Sequence, residues 1–369
     1  MTRRGWLTAG MIGLAPVVIS ACADEASLGQ GAVLDDDAYA IIRGEPVEEG
    51  TYPWMIYANG CTASLISPSY VLMASHCFGG RRNEDGTLEG IEITSRPLVS
   101  GHPDRTSPQA TLHNVAVVHL HPEYIPLNVE ETWGLEPYDV AILELESPIL
   151  LERYLRLPTR DPIPDEPVIA AGWGRMENGQ PATVLQETVL NVADDADCYV
   201  GDEIRFCTLG NETKSNIGSG DSGGPVFVAD GDGFMVLGTN STSNGDSEQP
   251  LAMHAQTRAF VPWILEVAGA EFACTGEGDD EVCEADIDEC ALGLDTCGDN
   301  GACENTVEAY TCDCDPGFAF DGDTCAAEAT PDPTEPAGGC SATGAGSSGG
   351  ALVLGLAGLL AVGRRRRSG

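Results

Sequence analysis

Short apolar runs rich in β-branched residues recur along the middle of the chain, separated by turns that contain Gly, Pro and Asn. Four of these runs are the segments 115–120, 140–145, 168–171 and 234–238. Many short strands separated by turn residues are typical of an all-β barrel or sandwich. The pattern therefore predicts an all-β domain in the central part of the chain.

Charge and cysteine content indicate where the protein is located and which classes of partner it is expected to bind. The chain of 369 residues has 58 acidic and 18 basic residues, which gives a formal charge of −40. Such a surface repels phosphate backbones, so we expect no nucleic acid partner. The 14 cysteines are more than a reducing cytosol normally tolerates without metal, which predicts a secreted or cell-surface protein.

The N-terminus has the layout of an export signal. Two arginines at positions 3 and 4 precede an apolar stretch over 6–19, so we expect residues 1–23 to be a signal peptide. Two cleavage sites overlap, because 19–22 resembles a bacterial lipobox whereas 21–23 satisfies the small-x-small rule of ordinary signal peptidase. Processing at the lipobox would lipidate Cys22, whereas processing by ordinary signal peptidase would not, and both alternatives remain open.

The C-terminus has a linker followed by a tail of different character. Residues 326–339 are rich in Pro, Glu and Thr and predict a solvated linker. The segment 340–369 then contains Cys340, an apolar run over 351–362 and four arginines at 364–367. This order resembles the membrane-sorting tail of myxobacterial-type surface proteins, in which arginines hold the cytoplasmic side. A permanent anchor is the alternative to processing near Cys340.

Three short motifs that contain residue types used in catalysis follow one another in the central segment. They are the sequences 73–77, 138–143 and 220–225, which contain His76, Asp139 and Ser222. A serine hydroxyl is a poor nucleophile unless an imidazole takes its proton, and the imidazole needs a carboxylate that fixes its tautomer. Each motif alone has an ordinary structural explanation, but their His, Asp, Ser order predicts a catalytic triad.

With these motifs the chain resembles the trypsin/chymotrypsin-type serine endopeptidases over residues 41–272. The run 61–68 before the histidine, the Gly-Trp-Gly at 172–174 and the closing helix at 260–268 also match the pattern of that family. The resemblance implies a double Greek-key β-barrel, protein or peptide substrates and catalysis that needs no cofactor.

The resemblance also assigns roles to individual residues. It implies two disulfide bridges, one joining Cys61 to Cys77 and the other joining Cys198 to Cys207. The backbone N–H groups of Gly220 and Ser222 would form the oxyanion hole. Glycine at 220 would let its N–H enter the site without a Cβ in the way.

Activation by cleavage is a further implication of the resemblance. The sequence that starts at Ile41 resembles the mature N-terminus of the family, whose new ammonium pairs with the aspartate before the nucleophile, here Asp221. We therefore expect residues 24–40 to be an activation peptide, released at Ala40–Ile41 by an activating protease or by the chain itself.

The specificity pocket departs from the trypsin pattern. Aligning Gly220 places Asn216 at the pocket base, where the trypsin branch has an aspartate, and Gly218 where the family often has a cysteine. Ser241 takes the place of the pocket serine, and Ala252 replaces a glycine on the far wall. A neutral, small to medium side chain before the scissile bond is the resulting expectation.

The histidines at 113, 119 and 121 alternate along a predicted strand and raise the possibility of a metal. We expect ordinary packing instead, because no cysteine or acidic residue completes a metal geometry. His119 and His121 are expected to share one face of that strand.

Residues 286–325 form a cysteine-rich module. Its opening Asp286-Ile287-Asp288-Glu289-Cys290 and its cysteine spacing resemble a calcium-binding EGF-like module. The resemblance implies the pairs Cys290–Cys303, Cys297–Cys312 and Cys314–Cys325. It also implies Ca²⁺ ligation by side chains of Asp286, Glu289 and Asn305 and by carbonyls of Ile287 and Thr306. An EGF-like module that binds no ion is the alternative.

The remaining cysteines complete the set. Cys274 and Cys283 lie in an acidic connector, 273–285, and pair most simply with each other. Removing Cys22 and Cys340 by processing leaves six bridges and no free thiol, which argues against a thiol enzyme.

We therefore expect a secreted or cell-surface serine endopeptidase that acts through an acyl-enzyme, cuts after small neutral residues and reaches the membrane through its terminal signals. The alternative is a catalytically silent relative that serves as a calcium-dependent surface binding protein.

Overall fold

A computed structural model of the chain describes residues 41–78, 81–82, 88–89, 97–125, 137–176, 179–194, 197–198, 203–244, 249–276, 282–307, 309–322 and 324–327. The predicted signal peptide, activation peptide and sorting tail lie outside these residues, as do Cys22, Cys340 and all of the predicted linker except 326–327. Neither α-helix in the described part of the chain, of twelve and four residues, is long and apolar enough to span a bilayer.

Strands dominate the described residues. Those of the larger, N-terminal unit are β1 Glu45–Pro46, β2 Met55–Ala58, β3 Cys61–Leu65, β4 Tyr70–Met73, β5 Arg81–Arg82, β6 Leu88–Glu89, β7 Leu98–Ser100, β8 Thr111–His113, β9 Val115–Leu120, β10 Ala141–Leu145, β11 Pro167–Gly172, β12 Gln186–Val192, β13 Arg205–Gly210, β14 Pro225–Asp230, β15 Gly233–Ser243 and β16 Leu251–Gln256. The helices of this unit are α1 Thr257–Ala268 and the 3₁₀ turns Ser75–Phe78 and Gly269–Glu271.

The C-terminal part is built from short hairpins. Its elements are β17 Phe272–Thr275, β18 Val282–Ala285, α2 Glu289–Leu292, a 3₁₀ turn Gly298–Asn300, β19 Gly301–Thr306, β20 Ala309–Cys314, β21 Phe318–Phe320 and β22 Cys325–Ala327.

The first sheet curls into a half-barrel. Its seven strands are ordered β8-β7-β2-β3-β4-β10-β9. The edge strands β8 and β9 are consecutive in the chain and are separated only by Asn114, so the chain itself bends from one edge of the sheet to the other. Alternate apolar side chains, Ile56, Leu72 and Ile142 among them, fill its interior with no exposed surface.

The second sheet closes into a barrel. Its order is β1-β12-β11-β14-β15-β16-β13, and an additional pairing of β12 with β13 joins the six strands after β1 into a ring. Val168, Val226 and Leu237 fill its interior with no exposed surface. The structure thus confirms the predicted all-β fold with its two barrels, and each of the four predicted strands overlaps an observed one.

The expectation that three histidines alternate on one strand is wrong. The bend at Asn114 places His113 at the end of β8 and His119 in β9, on opposite edges of the sheet. His121 follows β9 and is buried, with its ring stacked on Tyr138 and 4.9 Å from the ring of Trp263. His119 and His121 therefore share no exposed strand face.

The described residues of the acidic connector form two paired strands. Strands β17 and β18 pair across the Cys274–Cys283 bridge. The Oε2 atom of Glu271 accepts hydrogen bonds of 2.8 Å from both the Ser67 hydroxyl and the Ser69 backbone N–H. The carbonyl of Glu271 accepts the N–H of Asp286 at 2.9 Å. One residue therefore ties the first barrel to the start of the cysteine-rich module.

Disulfides hold the small module, whose exposed strands bury little apolar surface. Two hairpins, β19–β20 and β21–β22, form its frame. The final strand runs to Ala327, two residues into the segment expected to be linker. Across the described residues the bridges join the same cysteines as expected from the sequence: 61–77, 198–207, 274–283, 290–303, 297–312 and 314–325.

Candidate active site

Strand register brings His76 and Asp139 together. In the antiparallel pair of β4 and β10, Met73 lies opposite Ala141, so the turn that follows β4 meets the residues that precede β10. The 3₁₀ turn Ser75–Phe78 holds His76 there. Asp139 accepts the backbone N–H of His76 on Oδ1 at 2.9 Å, and its Oδ2 lies 2.7 Å from Nδ1 of the imidazole. This geometry fixes both the position of the ring and the tautomer with its proton on Nδ1.

A serine from the second barrel completes the surroundings of Asp139. The hydroxyl of Ser241, in β15, donates a 2.6 Å hydrogen bond to Oδ2 of Asp139. Burial, which leaves Asp139 1% exposed, alone would raise its pKa, but the charge and hydrogen bonds of His76 and the Ser241 hydroxyl outweigh burial and lower that pKa. Sequence reasoning assigned Ser241 to the pocket only and missed this contact.

The turn that carries Ser222 is fixed through its carbonyl groups. Thr62, in β3, donates its hydroxyl to the carbonyl of Gly220 at 3.0 Å and its N–H to the carbonyl of Ser222 at 2.9 Å. The Sγ atom of Cys77 lies 3.7 Å from the same Ser222 oxygen. Because Cys77 adjoins His76, this contact places the serine turn directly against the histidine turn.

Two backbone N–H groups of this turn are available for an anionic oxygen. Among the described residues, the N–H groups of Gly220 and Ser222 donate no hydrogen bond. Gly220 has φ +99°, and a Cβ there would lie 2.8 Å from Cα of Gly174. Only glycine adopts this conformation without strain in that space, which is the backbone arrangement that an oxyanion hole requires.

Asp221 points away from Ser222 into the second barrel. Its Oδ1 accepts the N–H of Gly174 at 2.9 Å and its Oδ2 accepts the N–H of Gly218 at 3.0 Å. The N–H of Ile41 is a third donor to this carboxylate. Burial of the uncompensated charge raises the pKa of Asp221 to about 7, although the three N–H donors partly offset burial.

The two glycines of the Gly-Trp-Gly motif make room for that carboxylate. A Cβ on Gly172 would lie 2.2 Å from Oδ1 of Asp221, and a Cβ on Gly174 would lie 2.8 Å from the same atom. Any larger side chain at either position would displace the carboxylate. The Gly-Trp-Gly motif therefore provides the space that the Asp221 carboxylate occupies. Spacing along the sequence does not show this relationship.

The start of the described chain is anchored beside this carboxylate. Ile41 is buried in the core of the second barrel, and Ile42 exchanges backbone hydrogen bonds with Asn216. The N-terminal segment expected to become the mature end thus lies where its amino group can reach Asp221.

Asn216, a predicted pocket residue, contacts the strand that contains Ala252, another one. The Nδ2 of Asn216 donates to the carbonyl of Leu251 at 3.3 Å, and its Oδ1 accepts the N–H of Ile217 at 2.9 Å. Ala252 follows Leu251 and lies opposite Ser243 across β15 and β16. The Asn216 amide, which the sequence predicts at the base of the pocket, is neutral and hydrogen-bonded to backbone at both ends.

The residues expected to hold calcium fit a cation. Asp286 and Asn305 are neighbours, with Nδ2 of Asn305 3.0 Å from Oδ2 of Asp286. The Oε2 atom of Glu289 is buried and has no hydrogen-bond partner among the described residues. A buried carboxylate oxygen without a donor is costly unless a cation meets it, and the donor set is all oxygen, as Ca²⁺ prefers.

The fold and this site define a serine-protease scaffold with an appended calcium-binding module. Residues 41–264 match the family described as Trypsin, and because this match spans more than half of the chain, the chain belongs to the trypsin family. Residues 286–325 match the family described as Calcium-binding EGF domain.

Individual relatives agree with this assignment. The chain is 26% identical to cathepsin G of Mus musculus over 252 residues, which cover 62% of this chain and 85% of that protein. It also superposes on the solved structure of neuropsin, a serine protease expressed in the limbic system of mouse brain, with a TM-score of 0.51 and 22% identity. That match covers 62% of this chain and 99% of the other, and it supports the fold alone. The family and its members support a serine-peptidase hydrolase.

Proposed function

We propose that the chain is a serine endopeptidase in which His76, Asp139 and Ser222 form the catalytic triad. The observation that carries the proposal is the buried Asp139 carboxylate, which holds Nδ1 of His76 at 2.7 Å while it accepts the Ser241 hydroxyl. A carboxylate that accepts the Nδ1 proton leaves Nε2 of the ring unprotonated, so that Nε2 can take up a proton, and it stabilises the imidazolium that results.

The mechanism follows from these positions. Ser222 Oγ attacks the scissile carbonyl carbon while Nε2 of His76 removes its proton, and the developing oxyanion accepts the N–H groups of Gly220 and Ser222. His76 then gives the proton to the leaving amine, and an acyl-enzyme remains on Ser222. Water, deprotonated by His76, then attacks the ester carbonyl carbon, the bond to Ser222 Oγ breaks, and His76 returns the proton to Oγ as the acid leaves.

Cleavage at Ala40–Ile41 activates the enzyme in this proposal. The Asp221 carboxylate already accepts the N–H of Ile41 and is buried without a cation among the described residues. A free α-ammonium on Ile41 supplies the missing positive charge, and the ion pair orders the turn that carries Gly220 and Ser222. Residues 24–40 would then act as the activation peptide.

A small or medium neutral residue before the scissile bond is the proposed preference. Asn216 contributes no charge to attract Lys or Arg, and its amide is held by Leu251 and Ile217. The methyl of Ala252 shortens the pocket relative to glycine. The Ala40–Ile41 site itself has such a residue, which makes self-activation consistent with this preference.

The compartment and the metal complete the proposal. The six disulfides found in the described part of the chain and an EGF-like module fit an extracellular location, and the terminal signals would take the chain through or to the membrane. In the module, Asp286, Glu289 and Asn305 with the carbonyls of Ile287 and Thr306 would hold Ca²⁺, whose contribution is structural because the triad needs no cofactor.

An acyl-enzyme burst tests the catalytic proposal. In the protein used for the test, the pentapeptide Asp-Asp-Asp-Asp-Lys replaces residues 36–40, so that enteropeptidase frees the amino group of Ile41. The cleaved protein is then mixed with a p-nitrophenyl ester of an N-acylated alanine. We expect one equivalent of nitrophenol in a burst from the wild-type site, none from Ser222→Ala and an unchanged burst from Ser219→Ala, which alters an exposed residue of the same turn. A cleaved, folded chain without a burst would contradict the proposal and favour a binding role.

A further inference from the structure

A chain of hydrogen bonds crosses the interior of the second barrel and ends at the turn that carries Ser222. The Thr208 hydroxyl lies 2.8 Å from Nε2 of His254, and Nδ1 of His254 lies 3.1 Å from Oδ1 of Asn240. Nδ2 of Asn240 donates to the carbonyl of Asp221 at 3.1 Å. Each of these four residues has 0% of its surface exposed.

The direction of every bond in this chain is determined. Because the amide nitrogen of Asn240 donates to a carbonyl, its Oδ1 must accept, so Nδ1 of His254 carries the proton. Nε2 then accepts the hydroxyl proton of Thr208. The ring is neutral, and burial lowers the pKa of His254 to about 3. The side chains of Thr208, His254 and Asn240 therefore keep the same charge near neutral pH.

The Asn240 end of this hydrogen-bond chain contacts the turn that carries Ser222 at the peptide group between Asp221 and Ser222. The carbonyl of Asp221 and the N–H of Ser222 belong to one planar trans peptide group and point in opposite directions. Nδ2 of Asn240 and the N–H of Gly224, at 2.9 Å, both hold that carbonyl. Fixing the carbonyl therefore fixes the direction in which the Ser222 N–H projects into the oxyanion hole.

Strand β15 couples this contact to the triad. Asn240 exchanges further backbone hydrogen bonds with the turn, accepting the N–H of Gly223 at 2.7 Å and donating to the carbonyl of Gly224 at 2.8 Å. The next residue, Ser241, donates to Asp139. Asn240 and Ser241 lie where the register of the β15–β16 pairing shifts, and this one dipeptide contacts both the oxyanion turn and the carboxylate of the triad.

We propose that Asn240 is a positioning residue for the oxyanion hole, and that Thr208 and His254 fix the orientation of its amide. The proposal rests on the proposed endopeptidase function. If this buried polar chain served stability alone, apolar side chains could replace it with no loss of stability or of activity. Removing all the partners together leaves no donor or acceptor unsatisfied. A positioning role predicts that catalysis is lost even when stability is kept.

Apolar replacement of the whole chain separates the two roles. In the full chain cleaved before Ile41, the triple variant Thr208→Val/Asn240→Val/His254→Phe is compared with wild type. Thr239→Val is the matched control, since Thr239 is a buried residue of the same strand whose hydroxyl has no partner among the described residues. Five quantities are measured: melting temperature, kcat and KM on an alanyl p-nitroanilide peptide, affinity for a peptide aldehyde, and hydrogen exchange of residues 218–224.

For the triple variant we expect a melting temperature near that of wild type, kcat roughly tenfold lower and a nearly unchanged KM. The aldehyde adduct carries an oxyanion, so its affinity should fall by the same factor as kcat, and exchange over 218–224 should be faster. The double variant Thr208→Val/His254→Phe keeps Asn240 but frees its amide to rotate, and we expect a smaller loss of kcat.

Three results would count against this assignment. Wild-type kcat and aldehyde affinity in the triple variant would overturn the role of Asn240, and wild-type kcat in the double variant would overturn the orienting role of His254. If the wild-type chain hydrolyses nothing, the proposed function fails, and hydrogen exchange alone then decides: exchange over 218–224 in the triple variant equal to that in Thr239→Val would overturn the positioning role.

Discussion

The N–H of Gly174 donates a 2.9 Å hydrogen bond to Oδ1 of Asp221, inside a cavity that leaves this carboxylate fully buried. Three backbone N–H groups donate to this carboxylate and no cation of the described residues pairs with it, so burial raises the pKa of Asp221 to about 7. The turn that carries Ser222 is thus built around a group that is only half ionised near neutral pH in the uncleaved chain.

The contribution of Asp221 to the stability of the uncleaved chain should therefore decrease as pH rises, opposite in sign to the contribution of buried His254, which both the cleaved and the uncleaved form share. Between the ordinary aspartate pKa of 3.8 and about 7, the folded state holds a proton that the unfolded state has released, so the free energy of unfolding falls through this window, by roughly 4 kcal/mol from Asp221 alone. Urea melts of Ser222→Ala, uncleaved, from pH 4 to pH 8 measure the trend.

The same variant cleaved before Ile41 is the control for that trend. Its α-ammonium pairs with Asp221 and lowers the pKa of the carboxyl, so the contribution of Asp221 is present at neutral pH and lost as pH falls. The difference in stability between the cleaved and uncleaved forms should grow from pH 4 to pH 8. A difference that stays constant over this range would contradict the pairing.

Gly172→Ala should disable the site without touching a catalytic side chain. A Cβ there lies 2.2 Å from Oδ1 of Asp221, so either the carboxylate or β11 must move. We expect a loss of roughly 1–3 kcal/mol in unfolding free energy and little activity after cleavage. Gly269→Ala is the control, because its Cβ would meet nothing closer than 3.9 Å, and it should leave both quantities unchanged.

Asn216→Asp should redirect the preference of the pocket. A carboxylate at the base supplies the counter-ion for Lys or Arg that the native amide lacks. We expect kcat/KM for an arginyl p-nitroanilide to rise at least roughly tenfold relative to the alanyl substrate. Asn211→Asp, on an exposed turn just before the pocket segment, controls for the added charge. An unchanged substrate ratio would show that Asn216 does not face the substrate.

Calcium should stabilise the cysteine-rich module through Glu289. Its buried Oε2 has no donor among the described residues, so a cation bound there removes a penalty that folding otherwise carries. We expect millimolar Ca²⁺ to raise the melting temperature of the full chain and Glu289→Gln to weaken calcium binding measured by titration calorimetry. Glu304→Gln, an exposed position in the same module, should bind calcium as wild type does.

Glu271 should control how firmly the module is held. Its carboxylate accepts Ser67 and Ser69 from the first barrel, and its carbonyl accepts the N–H of Asp286. We expect Glu271→Gln, which keeps the carbonyl but weakens the carboxylate contacts, to speed cleavage of the connector by an added protease. Glu266→Gln, on the exposed side of α1, is the control, and equal cleavage rates for both variants would contradict the role of Glu271.

Much of the fold was predictable because local patterns agree with it. Strands β9, β10 and β11 coincide with apolar runs visible in the sequence, and the helix α1 begins three residues before the expected segment 260–268. The six disulfide pairs of the described residues also match expectation, since the resemblances imply five of them and the two remaining cysteines, Cys274 and Cys283, pair with each other.

The rest depends on contacts between distant residues. Ser241 reaches Asp139 across 102 positions of sequence, and nothing near Ser241 indicates that its hydroxyl turns toward a carboxylate. The sequence does not indicate the bend at Asn114 either. The alternation of side chains continues through this residue, although the strands before and after it lie at opposite edges of the sheet. His254 is one apolar-flanked histidine among six, and only the barrel interior shows what its ring contacts.

The six disulfides have a consequence for the order in which the protein matures. Their cysteines are separated by 9 to 16 positions, so each bridge closes a short loop and none spans from the barrels to the module. Closing such loops requires little chain entropy. Oxidation can therefore proceed from N-terminus to C-terminus while the chain is still being synthesised, and each segment can complete its covalent links before the next one emerges.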